Sequence, residues 1–155
     1  MRIGVSRNWK VDMKPELHRL ARWLWRWGPA LVLMAGIFLA SSRNKASIPD
    51  FGAWDWPVKK SGHFLVYGLL GLAYFRGLAA GRPAAPRWRL ALLAVGMVAA
   101  YGATDEVHQV FVPGRGAHAT DVLIDSLGAA AALAAWLCLS AWSRGAQPTA
   151  GRAPR

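Results

Sequence analysis

The chain has 155 residues, of which 54% are hydrophobic and 9 are tryptophan, and its formal net charge is +11. That length suits one domain. The charge would suggest nucleic acid in a soluble protein, but the basic residues lie between long apolar runs rather than in an aromatic-interleaved patch, which excludes that partner.

Residues 1–27 read as a basic cytoplasmic leader. Pro15 can open a helix, because its missing N–H is no loss in a first turn. Leu17, Leu20, Ala21, Leu24 and Trp27 then recur at helical spacing, with Arg19, Arg22 and Arg26 on another face. This predicts a short interfacial helix on anionic lipid headgroups. A basic leader that only sets topology is an equal alternative.

Four apolar segments follow, at about Trp25–Ser42, Gly62–Ala80, Trp88–Thr104 and Thr120–Trp142. Each is close to the ~20 residues that cross ~30 Å of hydrocarbon. None alternates polar and apolar residues as a barrel strand does. The prediction is an all-α integral membrane bundle of four transmembrane helices over residues 28–142. Ala40, Ser41 and Ser42 also fit a signal-peptide cleavage site, against which the long Trp-rich leader speaks. Cys138, the single cysteine, lies inside the fourth segment, so no intramolecular disulfide or zinc motif exists. The small, polar, Pro-containing residues 143–155 read as a disordered cytoplasmic tail.

Lysine and arginine set the orientation. The leader and the second and last connections carry 14 of them, against 5 in the first and third loops. The positive-inside rule then places both termini in the cytoplasm and the first and third loops outside an inner (cytoplasmic) membrane.

The remaining polar residues gather at the outer depth. Lys60, His63 and Tyr67 share one face at the start of the second span. Tyr101, Asp105, His108 and Gln109 hold related positions at the end of the third, with Glu106 about 100° away. Asp121 and Asp125 stack at i, i+4 in the fourth. Asp121 or Thr120 is expected to cap that helix. Pro113 and Gly114 predict a tight turn that holds Arg115 over the carboxylates for bidentate pairing.

At these residues the chain resembles the VanZ-like family of small bacterial membrane proteins. Ser41 and Ser42 close the first span, and Lys60, His63, Phe64 and Tyr67 open the second. The most specific stretch is Asp105-Glu106-Val107-His108-Gln109, followed by Phe111, Val112, Pro113, Gly114 and Arg115. Asp121 to Asp125, Leu127 and Gly128 complete a likeness running from about Leu31 to Trp136. Two positions depart from the family pattern: Lys59 replaces a frequent acidic residue, and Asp125 replaces a frequent asparagine. The resemblance implies a multi-span protein of the bacterial cell envelope, in a family named for a teicoplanin-resistance accessory factor.

Two functional readings follow. In the first, an outward-facing polar site lowers susceptibility to glycopeptide antibiotics such as teicoplanin by binding or altering envelope components. Lys60, Tyr67, Gln109, Arg115, Asp121 and Asp125 would then bind a lipid-linked cell-wall precursor or a glycopeptide. In the second, the chain is a membrane-interface enzyme, an acid–base or metal-assisted hydrolase or transferase acting on a lipid-linked envelope substrate. Glu106, His108, His63 and Asp105 are its candidate catalytic groups. A divalent metal would be held by some of His63, His108, Asp105, Glu106, Asp121 and Asp125. HExxH and GxSxG are absent, and no serine adjoins an obvious base in the sequence. A purely structural ion network is the third way to use these residues. No motif identifies a cofactor or a metal site, and oligomeric state is left open.

Overall fold

The computed structural model describes residues 15–44 and 49–145. These form four helices: α1 (Pro15–Ser41), α2 (Asp55–Gly81), α3 (Arg87–Gln109) and α4 (Ala119–Gly145). A 3₁₀ turn at Gly52–Trp54 leads into α2, and no strand occurs among the described residues. All four helices are long and apolar enough to cross a membrane. At 1.5 Å per residue they run about 35–40 Å. Residues 143–145, expected to open the tail, are the last of α4; the rest of that tail, and the leader before Pro15, lie outside the described residues.

The distribution of polarity is the reverse of that in a water-soluble protein. Val32, Leu39, Leu65 and Leu92 are 64–72% exposed, while Asp105, Glu106, Asp121 and Asp125 are 1–7% exposed. An apolar surface around buried carboxylates suits hydrocarbon surroundings. The chain is therefore a multi-pass membrane protein. Cys138 is exposed on α4, on the surface that lipid covers.

Two helix boundaries move in a way that matters. α2 begins at Asp55 rather than near Gly62, so Lys59 and Lys60 are helical. α3 continues past Thr104 to Gln109 and carries the whole Asp105–Gln109 run.

The separate interfacial helix expected in the leader is not present among the described residues. Pro15 opens α1, but the helix continues unbroken to Ser41 with Pro29 inside it. Proline has no N–H, so the carbonyl of Trp25, four residues back, loses its helical donor. Arg76 of α2 supplies one: its Nη1 donates to the Trp25 carbonyl at 2.6 Å and lies 3.3 Å from that of Arg26. Arg26 in turn donates from Nε to the Gly77 carbonyl of α2. Two arginines thus brace α1 against α2 at the point where proline would weaken it.

α2 is the centre of the bundle and packs on α1, α3 and α4, whereas α1 does not pack on α4. Small residues bring α2 and α4 together. A Cβ on Gly71 would lie 2.8 Å from that of Ala129, and one on Gly68 would lie 3.2 Å from the Gly128 carbonyl. Membrane helices approach closely through such positions, because lipid gives little hydrophobic drive between them. Tyr67, Leu70, Ala94, Val98, Ala129 and Leu133 fill the core.

Arg76→Met should cost about 1–3 kcal/mol by orphaning the Trp25 carbonyl. In a Pro29→Ala background, whose new N–H can serve that carbonyl, the same change should cost less than half as much. Thermal unfolding of the four variants in detergent measures this. Equal losses in both backgrounds would mean that Arg76 acts elsewhere.

Candidate functional site

The polar residues meet at the end of the bundle formed by the C-termini of α1 and α3 and the N-termini of α2 and α4. Two cross-helix pairs join α2 to α4. Lys60 donates from Nζ to Asp121 Oδ1. One turn further in, His63 Nδ1 lies 3.2 Å from Asp125 Oδ1. An ionised carboxylate only accepts, so Nδ1 carries the hydrogen and Nε2 is left for other work. Asp125 is 1% exposed. Gly102 of α3 makes room for it, since a Cβ there would sit 3.2 Å from Asp125 Oδ2. The Tyr67 ring stacks beneath His63 at 6.0 Å.

A third set of contacts joins α1, α2 and α3 through Asp105. Its carboxylate accepts from Ser41 Oγ at 2.6 Å, Gln109 Nε2 at 2.9 Å and Tyr67 Oη at 3.4 Å. Nearby, Tyr101 Oη donates to the Met34 carbonyl of α1 at 2.6 Å. Lys59 pairs with Asp55 one turn earlier on α2, at 2.6 Å. Two lysines in sequence therefore use carboxylates on different helices.

Glu106 and His108 occupy different surroundings. Glu106 Oε2 accepts from the His118 backbone N–H at 2.7 Å and so ties the α3–α4 loop to α3. His108 turns toward α1, where its Nε2 is 3.0 Å from Ser42 Oγ and its ring lies 4.5 Å from Phe38. Sequence spacing gave no sign of these serine contacts. Ser41 and Ser42 stand 64 and 66 residues from Asp105 and His108, and only the folding of α1 onto α3 unites them.

In the loop, Pro113 and a Gly114 of φ 76° form the expected turn, closed by Arg115 N–H to the Val112 carbonyl at 3.1 Å. That order of residues and that φ suit a type II turn. The bidentate pairing expected of Arg115 does not occur: its side chain has no hydrogen bond or ion pair among the described residues. Lys60 and His63 already hold the α4 carboxylates. The capping expectation also changes. α4 begins at Ala119, so Asp121 sits in the first turn, where the helix dipole still favours an anion.

These walls enclose a pocket of about 530 Å³. Lys60, His63, Tyr67, Asp105, Gln109, Arg115 and Asp121 line it, and Asp125 stands behind His63. Glu106 and His108 do not reach it. Gly36, Ile37, Ala40, Trp56 and Val66 make its apolar side. The formal charges of the lining nearly cancel, but their bonding differs. Asp55 and Asp121 are paired, Asp105 accepts from three donors, and Arg115 keeps its fork unbonded. Among the described residues no group of three or more His, Cys, Asp or Glu is arranged to hold a metal ion.

Lys60→Met and Asp121→Ala should each destabilise the protein. The double variant should lose less than their sum, by about 1–2 kcal/mol, because a single change strands the opposite charge. A double-mutant cycle of thermal unfolding in detergent tests this, and additive losses would show that the pair contributes nothing.

A family model described as VanZ/LLP1 matches residues 7–140. No curated protein and no solved structure matches the chain. The family match takes in α1 to α3, the loop that carries Arg115, and α4 beyond Asp125. The chain belongs to the VanZ/LLP1 family.

Proposed function

We propose that the pocket faces outward from the cytoplasmic membrane and holds the phosphate or carboxylate headgroup of an amphiphilic envelope component. A lipid-linked cell-wall precursor and a glycopeptide such as teicoplanin both have this chemistry. Binding there would lower teicoplanin susceptibility. The observation that carries the reading is Arg115: a guanidinium without a bonded partner among the described residues, on a pocket whose other charged groups are bonded. Its planar fork suits a phosphate or carboxylate. The apolar side formed by Ile37, Ala40 and Val66 would take the adjoining hydrocarbon. Lysine and arginine asymmetry, 14 against 5, supports the outward orientation.

A second reading, turnover of the bound amphiphile, is favoured by one contact. Asp125 orients His63 through Nδ1, which leaves Nε2 of a pocket-lining imidazole free to take a proton. In this reading His63 is the general base and Asp125 its positioning residue. Glu106 holds the loop and His108 packs against α1, so both stand outside the chemistry.

Three experiments test these readings. In cells carrying the gene, Arg115→Gln should abolish protection against teicoplanin at unchanged membrane abundance. Protection equal to wild type would remove Arg115 from the site. In a Cys138→Ser background, Gly116→Cys should react with a membrane-impermeant maleimide in intact cells, whereas Gly145→Cys should react only after permeabilisation. The opposite pattern would invert the orientation. For the catalytic reading, His63→Gln should abolish protection while Glu106→Gln and His108→Ala, at equal abundance, retain it. If His63→Gln protects as wild type does, no proton transfer through that imidazole is required.

A further inference from the structure

The opposite end of the bundle carries a different chemistry. Its described residues include Arg19, Arg22, Arg26, Arg76, Arg82, Arg87, Arg89 and Arg144, with Glu16 as the one acidic residue. All three described ion pairs lie at the other end. A second pocket, of about 670 Å³, opens here between α1 and the end of α2, lined by His18, Arg19, Arg22, Trp25, Arg26 and Ala80 among others. No carboxylate lines it among the described residues.

Arg19, Arg22 and Arg26 follow one another at i, i+3 and i+7 and so share a helix face. Like charges at that spacing repel, and the one described carboxylate near them, Glu16, stands a turn before Arg19 and outside the pocket lining. Arg26 is also fixed. Its Nε donates to the Gly77 carbonyl, and its guanidinium fills the space where a Cβ on Gly81 would stand. The rest of its fork has no hydrogen-bonded partner among the described residues. Arg76 lies over the Trp25 ring at 4.9 Å while it serves the Trp25 carbonyl. Trp23 and Trp25 are exposed beside the arginines. Tryptophan of this kind settles at headgroup depth.

We infer that this α1–α2 pocket is a binding site for the phosphate of an acidic phospholipid, held by Arg19, Arg22 and the free side of Arg26. The lipid supplies negative charge that the described lining lacks, and its chains run along the exposed apolar face of α1 below the tryptophans. This is a discrete site between two helices, distinct from a diffuse attraction of the whole basic end to an anionic leaflet. It is independent of the pocket at the other end. Basic pockets between membrane helices take acidic headgroups by the same electrostatics.

The test is native mass spectrometry of the full chain released from detergent containing phosphatidylglycerol, phosphatidylcholine or inorganic phosphate. One phosphatidylglycerol should stay bound where phosphatidylcholine is lost. The double variant Arg19→Gln/Arg22→Gln should bind phosphatidylglycerol about 30-fold more weakly, whereas Arg89→Gln, at the same end on α3, should bind as wild type. Both altered arginines are exposed and have no hydrogen bond or ion pair among the described residues, so the double variant should keep its fold. Its thermal midpoint without lipid checks that. Equal retention of phosphatidylglycerol and phosphatidylcholine would overturn the site. So would an equal loss with Arg89→Gln, which would show general charge at work. Retention of inorganic phosphate but not of lipid would replace the phospholipid with a free anion.

Discussion

Four carboxylates are buried at one end of an otherwise apolar bundle, and the arrangement of the helices follows from the need to satisfy them. An unpaired charge at that depth is too costly to persist. Asp121 and Asp125 on α4 are met by Lys60 and His63 on α2. Asp105 on α3 is met by Ser41 from α1 and Tyr67 from α2, besides Gln109 of its own helix. Glu106 is met by the backbone of the loop that leads to α4. Every helix supplies a partner or a carboxylate, so register at this end is set by polar contacts and not by fit of apolar surfaces.

Such contacts form only where backbones come close enough. The glycines of α2 and α4 provide that approach below the polar layer, and Gly102 of α3 admits the Asp125 carboxylate itself. α1 joins by a different device. Pro29 removes a donor from its helix, and Arg76 fills the vacant carbonyl at one end while Ser41 binds Asp105 at the other. α1 is thus pinned at both ends, and between them Tyr101 reaches Met34.

The two ends divide the ionic chemistry. One pairs its charges inside the protein and leaves Arg115 available to a pocket. The other, among the described residues, gathers arginines with Glu16 as the one acid. A membrane presents different partners at its two faces, and an asymmetric bundle can use both.

The sequence alone determined that there are four membrane helices, which residues are polar, and that those residues lie at one depth. These are one-dimensional properties: hydropathy over about 20 residues and position along a helix. The turn at Pro113–Gly114 was legible for the same reason, since Gly114 supplies a local backbone conformation. The extent of α1 was not. The leader reads as a separate helix opened by Pro15, but α1 runs unbroken through Pro29, where a donor arrives from Arg76, 51 residues from the carbonyl it serves. Nor were the partners legible. Spacing placed Arg115 near the carboxylates, but three-dimensional packing gave Asp121 to Lys60 and Asp125 to His63, and left Arg115 without a partner among the described residues. Glu106 and His108 were prominent because they sit in the densest motif. Their neighbours, a loop amide and a serine of α1, exist only after the helices pack. Which charge pairs with which is a question of distance across helices, and only the tertiary structure sets those distances.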